Sequence, residues 1–402
     1  MAKVTEFIEE FKSPNSSNTS GSLDTLAQLA TKGDLPLEFD CSTSMSDKAN
    51  LLKRARRKYF TNRVLWKLID AAKSNTNSTL HKSYWNTYHC SRNLFLNDNG
   101  TITGKYCNTR WCMVCNAIRT AKHINQYSPI VKQWENPYFV TLTGKTIDSN
   151  LLKDRIEVMQ KIFVRIRKLH SKKSQRSQID FDFKGIRKLE CTHNYMTNKY
   201  HPHFHIICNC KSSADFLVSN WIRCCTDEGI EVNRAAQDAR PANGKSLVEL
   251  FKYMTKVVTN RGGDKKNKRI IDGIALDIIF NAMKGKRTVQ PFGFKVSNKN
   301  GSKANGLPTI GLVLSVLTWS DEYADWLDKD GYMLTNYVPS DGFQKLLGDA
   351  KKMDMKPKDF TAKDYQNVIE DLSKYVTDSS VLVNVKTNEK TRGKLGNKTT
   401  SS

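Results

Sequence analysis

The chain reads as an α+β protein on two observations. Segments that alternate apolar and polar residues, as strands with one buried face do, are interspersed with longer segments whose apolar residues return every three or four positions, as on one face of a helix. Near the middle, Ile186–His193 and His201–Ile207 flank the turn-like stretch Met196-Thr197-Asn198-Lys199, which predicts an antiparallel hairpin. A length of 402 residues allows two or three domains.

Taken in order, residues 1–45 hold the polar run Ser13–Ser22, lack sustained periodicity and read as a flexible arm with a short helix. From Asp47 to Lys73, Leu51, Leu52, Ala55, Tyr59, Val64, Leu65 and Leu68 fall at roughly helical spacing among many basic residues, which predicts an amphipathic helix with a basic outer face. Leu94–Thr103, with Gly100 inside it, is hairpin-like, and Phe139–Thr143 alternates hydroxyl with apolar residues as a strand does. Leu151–His170 predicts a helix: Leu152, Ile156, Met159, Phe163, Ile166 and Leu169 mark one apolar face and leave Lys and Arg pointing out. Ala214–Arg223 suggests another helix. It precedes Val248–Val257, where Glu249 and Tyr253, and Lys252 and Lys256, repeat the i,i+4 spacing. Beyond the basic loop Arg261–Arg269, Asp272–Lys284 reads as helical, Gly311–Thr318 as strand-like and Thr387–Ser402 as disordered; no chemistry attaches to that region.

Composition narrows the partners. Lys and Arg total 64 against 40 Asp and Glu, a formal net charge of +24 spread through the chain, which points to a polyanion bound in a salt-sensitive way, DNA or RNA alike. Ten cysteines, with no signal peptide after Met1-Ala-Lys-Val, fit a reducing cytoplasm where thiols bind metal more readily than they pair. The longest apolar run, near Leu307–Trp319, is too short and too interrupted to span a bilayer, so no membrane partner is expected.

Two constellations carry chemistry. His203 and His205, one bulky apolar residue apart in a run that continues Ile206-Ile207, occupy alternate strand positions and share a face. If the hairpin closes on its turn, Glu190 falls opposite or diagonal to His205. Two imidazoles and a carboxylate on one sheet face suit a divalent ion with open positions; half-buried histidines satisfied by hydrogen bonds are the alternative. Cys107, Cys112 and Cys115 form a C-x4-C-x2-C arrangement, with Cys90 upstream across the hairpin-like stretch. Four thiolates close a tetrahedral structural zinc site, with His89 and His123 competing for the fourth place and buried free thiols as the alternative.

Three motifs, in matching order, resemble those of the initiator (Rep) proteins of rolling-circle plasmids, within the HUH endonuclease superfamily. Phe139-Val140-Thr141-Leu142-Thr143 is similar to the first, His201-Pro202-His203-Phe204-His205 to the metal-binding second, and Tyr253-Met254-Thr255-Lys256 to the third, the nucleophile with its lysine. The resemblance spans roughly residues 84–260. It implies a central antiparallel sheet carrying the histidines, with flanking helices and the tyrosine helix across it. It implies an enzyme that nicks origin DNA at a single-stranded or hairpin site through a 5′-phosphotyrosine at Tyr253 and later rejoins it, with Mg²⁺ or Mn²⁺ on His203, His205 and Glu190. Glu249, four residues before Tyr253, is then the general base for water at termination, and the single tyrosine matches the single-tyrosine initiators. Lys256 is placed to neutralise phosphate or the developing phenolate. The cysteine cluster ahead of the first motif resembles the family too, and zinc there would brace DNA contacts built around Arg110, Trp111 and Arg119. A host helicase and polymerase become possible partners, and a bacterial, plasmid-encoded source is implied.

The expected organisation is an arm over 1–45, a basic helical and cysteine-rich zinc module over 46–130, a nicking domain over 131–262, a C-terminal extension of unassigned role over 263–386, and a tail over 387–402. A transposase or mobilisation relaxase shares the same first chemical step. A noncatalytic, zinc-stabilised DNA-binding regulator is the reading from another class.

Overall fold

The computed structural model describes residues 43–44, 48–98, 100–243, 246, 250, 259–260, 269–295 and 313–339. Among them, in chain order, lie β1 (Thr43–Ser44), α1 (Lys48–Ser74), α2 (His81–Tyr88), β2 (Asn93–Asn97), β3 (Thr101–Gly104), α3 (Met113–Val131), β4 (Tyr138–Thr143), α4 (Leu152–Gln175), β5 (Gly185–Asn194) and β6 (Lys199–Cys208). There follow α5 (Lys211–Asp227), β7 (Asp238–Pro241), β8 (Thr259–Asn260), β9 (Arg269–Ile270), α6 (Gly273–Ala282), β10 (Val289–Phe292), β11 (Val313–Ser320) and β12 (Asp325–Leu327). The chain divides into two compact units, each with its own sheet.

The first unit holds residues 67–82 and 116–295 and is built on a five-stranded sheet of order β10-β5-β6-β4-β7. All four pairings are antiparallel, and β6, the histidine strand, is central. This is the α+β architecture expected. The hairpin turns where Asn194 Oδ1 accepts the backbone N–H groups of Met196 and Thr197 at 3.0 and 3.2 Å. Asn198 takes a left-handed φ of 49°, which asparagine tolerates better than most residues.

One face of this sheet is apolar and packs on α4 and α5. Phe204 meets Phe163 of α4 and Trp221 of α5 edge-on, with ring centroids 5.8 and 5.7 Å apart. Helix α4 buries Leu152, Ile156, Met159, Ile162, Phe163 and Ile166, and each large side chain so buried contributes about 1.5–3 kcal/mol. The apolar stripe is therefore the one its spacing predicts, except at its end. Leu169 is only half-buried and His170 is buried instead, because its ring stacks on Phe183 at 4.9 Å and its Nε2 lies 3.1 Å from the Phe181 carbonyl.

The second unit, residues 43–66, 83–115 and 313–339 among those described, has the sheet β1-β3-β2-β11-β12. Strand β11, expected from its sequence but without a partner, pairs antiparallel with β2, Val316 opposite Phe95. Asp321 just beyond it accepts from Asn62 Nδ2 and Trp319 Nε1, both at 2.9 Å, and from the Tyr88 hydroxyl. In the stretch of α1 that belongs to this unit the predicted apolar positions are buried apart from Leu52, which is exposed, and Lys58 is buried with its Nζ donating to the Tyr88 carbonyl at 2.6 Å. No helix among the described residues is long and apolar enough to cross a membrane. Residues 1–42 of the expected arm, the tail over 387–402, and Glu249, Tyr253 and Lys256 lie outside the described residues.

Candidate metal centre and cysteine cluster

The β5–β6 register sets Glu190 opposite His203 and Lys188 opposite His205, so Glu190 lies diagonal to His205, one of the two placements expected. Alternation along strands puts Lys188, Glu190, His201, His203 and His205 on one face, joined by Thr141 and Thr143 of β4, which oppose His205 and His203. This is the face turned away from α4 and α5.

Three ligand atoms converge there. Glu190 Oε2 lies 3.4 Å from His203 Nε2 and 3.5 Å from His205 Nε2, and the two nitrogens are 3.2 Å apart. His203 Nδ1 donates to the His201 carbonyl at 3.0 Å, and His205 Nδ1 sits 3.2 Å from the Thr141 hydroxyl, which can accept from it. The His201 carbonyl fixes the Nδ1–H tautomer of His203 and leaves its Nε2 as a lone-pair donor facing Glu190, while the Thr141 hydroxyl, able to donate or accept, orients the His205 ring. The donor set fits a divalent ion. Glu190 and His203 are buried, and His205 keeps 14% of its side chain exposed, so the centre opens on one side.

Lys188, fully buried, ion-pairs with Glu190 Oε1. Burial alone would raise the Glu190 pKa, but the Lys188 ammonium beside it holds it well below the usual carboxylate range. His201 stacks on His203 at 5.3 Å and its Nε2 bonds to the Thr143 hydroxyl; burial first, and His203 next, lower its pKa, so the ring is neutral. Thr143 is in turn clamped: its N–H donates to Gln237 Oε1 at 2.9 Å and its carbonyl accepts from Trp221 Nε1 at 3.0 Å. At the apolar end of the same face, Phe139, Ile186 and Ile207 pack with Ile124, Tyr127 and Val131 of α3 and with the fully buried Leu250, three residues before Tyr253.

The second unit brings the four cysteines together. Cys90 Sγ lies 3.5 Å from Cys115 Sγ and 3.6 Å from Cys112 Sγ, and Cys107 Sγ lies 3.6 Å from Cys115 Sγ. Sulfurs at the corners of a tetrahedron around an ion about 2.3 Å away are about 3.8 Å apart, so the spacing fits a tetrahedral ion. Backbone N–H groups of Cys107, Thr109 and Cys115 point at the sulfurs of Cys90, Cys107 and Cys112 at 3.4–3.5 Å. Burial pushes the Cys112 thiol up, whereas hydrogen bonds from Cys112 and Cys115 pull Cys107 down; thiols this close ionise together only around a cation. Among the described residues, the cluster comprises the cysteines alone, so neither His89 nor His123 takes the fourth place. Trp111, expected at a DNA surface, is instead core: it is buried, meets Tyr84 edge-on at 5.3 Å, and its Nε1 donates to Thr87 Oγ1 at 2.9 Å.

Residues 101–305, just over half of the chain, match the family model Rep_1, described as Replication protein. The chain belongs to this replication-protein family. The resemblance to rolling-circle plasmid initiators read from its motifs stands with that match, and the HUH superfamily is consistent with it. A "Protein rep" of Staphylococcus aureus is 32% identical over 165 residues, covering 37% of this chain and 69% of that protein. A "Protein rep" of Streptococcus pneumoniae serotype 2 is 32% identical over 114 residues, 27% of this chain and 34% of that protein. One from Bacillus amyloliquefaciens is 31% identical over 124 residues, 29% of this chain and 34% of that protein. The chain thus spans about a third of the length of the last two. No solved structure matches it.

In this replication protein, two site features went unread in the sequence. Lys188 sits two residues before Glu190 and so shares its face by the period-two rule, yet a lysine in a strand reads by default as solvated. The supporting clamp on Thr143 comes from Trp221 and Gln237, 78 and 94 residues away, and no local signal announces it.

Proposed function

We propose that the protein initiates plasmid rolling-circle replication by nicking origin DNA through a tyrosine and rejoining it at termination. What carries this reading is the convergence of His203 Nε2, His205 Nε2 and Glu190 Oε2 on the central strands of an antiparallel sheet, in a replication-family chain.

Glu190, His203 and His205 would hold Mg²⁺ or Mn²⁺, which supplies Lewis-acid polarisation of the scissile phosphate. The Tyr253 phenol oxygen attacks phosphorus, forming the phosphotyrosine bond as the bond to the 3′ oxygen breaks; the phenol gives its proton to water and the departing oxygen takes one from water, leaving a free 3′-hydroxyl. That end primes a polymerase. Lys256 neutralises developing negative charge, and Glu249 activates water to release the product at termination. Residues 131–262 form the proposed nicking domain, with β10 adding to the edge of its sheet. Cys90, Cys107, Cys112 and Cys115 would hold structural zinc in the second unit, four thiolates being the donor set zinc favours.

The test is supercoiled plasmid carrying the protein's own origin, incubated with the protein and Mn²⁺, then denaturing gels and mass spectrometry. The expected result is a nicked circle with DNA on Tyr253, lost in Tyr253→Phe while binding persists. Glu249→Ala should retain the first nick and lose release. Intact binding with no nick and no adduct would instead favour a noncatalytic DNA-binding regulator.

A further inference from the structure

Lys188 places an ammonium inside a cation site. It lies directly opposite His205, fully buried, and its Nζ holds Glu190 Oε1 while Glu190 Oε2 faces both Nε2 atoms. The carboxylate is divided: one oxygen is committed to an ammonium, the other to the metal position. Burying an ion pair costs desolvation of both charges, and a space-filling role at this position would be met by methionine, so the charge calls for its own explanation. An ammonium sharing a ligand with a divalent ion also repels that ion, and the repulsion is strong where water is excluded.

We propose that Lys188 is a built-in counter-cation for Glu190 that keeps the affinity of the His203–His205–Glu190 site for its divalent ion low while DNA is absent. The proposal rests on the metal-site reading above. The ion pair gives the buried carboxylate a partner when no ion is present, so the strands can fold without metal. An entering ion adds two positive charges beside the Lys188 ammonium, and an anionic phosphodiester then offsets the excess. Ion and DNA phosphate therefore help each other to bind, by the same factor in either order. Without the lysine, the ion becomes the only partner for a buried carboxylate, and it is held with or without DNA.

The measurement is calorimetric titration of Mn²⁺ into the full-length, DNA-free protein at pH 8, where free imidazole is neutral. Lys188→Met should bind Mn²⁺ about tenfold more tightly than wild type or better, and its melting temperature should depend more steeply on Mn²⁺. Lys188→Arg, which keeps the charge, should retain wild-type affinity. Unchanged or weaker binding by Lys188→Met overturns the proposal, as does a Lys188→Met protein that stays unfolded at millimolar Mn²⁺, since the ion must be able to replace the ammonium. His203→Ala separates the two readings. If it leaves Mn²⁺ binding intact, the metal site itself is wrong; if it abolishes binding while Lys188→Met is not tightened, only the role of Lys188 falls.

Discussion

What His203 and His205 can offer an ion is decided by what their other nitrogens already hold. The Thr141 hydroxyl holds His205 Nδ1, and Thr141→Val removes that contact with little change of shape. The ring then loses its anchor, and Mn²⁺ affinity should fall about 10–100-fold by calorimetry while DNA binding persists. Thr141 can be read from sequence, since the hydroxyls of Phe139–Thr143 alternate in step with the histidines, and so can Glu190, because period two is rigid. His123 could not be. As a candidate cysteine-cluster ligand it was plausible by position, but its ring stacks on Tyr127 at 5.8 Å, and burial, then Arg119, push its pKa down to about 4. Its unfolded pKa is about 6.5, so the unfolded chain binds the extra proton between those values. Stability is fully present above about pH 6.5 and is lost as pH falls toward 4, by on the order of 2 kcal/mol. His123→Phe keeps a ring against Tyr127 and should flatten urea midpoints across that window; an unchanged pH slope would assign the acid sensitivity elsewhere.

Among the elements, those set by local pattern were legible and those set by distant partners were not. Helix α4 and the β5–β6 hairpin follow from periodicity and an asparagine turn, whereas the partner of β11 lies more than two hundred residues away in β2, a pairing that no window of sequence can encode. The end of α4 shows the same limit: Leu169 continues the helical stripe, but Phe181, Phe183 and Phe216 build an aromatic pocket that takes His170 instead. Gly185, at the start of β5, is another residue whose reason lies across the sheet. A Cβ there would stand 2.5 Å from Phe292 Cζ and 2.6 Å from the Ile207 carbonyl oxygen. The ring can turn, but the central-strand carbonyl cannot move without shifting β6. Gly185→Ala should therefore cost about 1–3 kcal/mol in chemical denaturation and weaken Mn²⁺ binding through displacement of the histidine strand.

At the scale of the molecule, two sheets carry two metal-type donor sets of opposite character, and they should respond differently to metal removal. Four thiols with sulfurs 3.5–3.6 Å apart lose the partner they share once an ion is gone, and their crowding and burial then favour unfolding of the second unit. In the His203–His205–Glu190 centre the carboxylate is paired with Lys188, which on our proposal replaces the ion as its partner. Brief EDTA treatment should thus abolish nicking, restored by Mn²⁺, with the melting temperature unchanged. A mercurial that captures thiolates should release one equivalent of zinc, detected by a chromogenic chelator, and collapse the near-ultraviolet signal of Trp111, Trp319 and Trp326, all of which pack in the second unit. A formal charge of +24 predicts that DNA binding depends on phosphate contacts, so the salt dependence of binding should survive EDTA and fail with the mercurial only if the second unit contributes those contacts. Zinc release with no change in the tryptophan signal would show that the four cysteines bind an ion without bracing the fold.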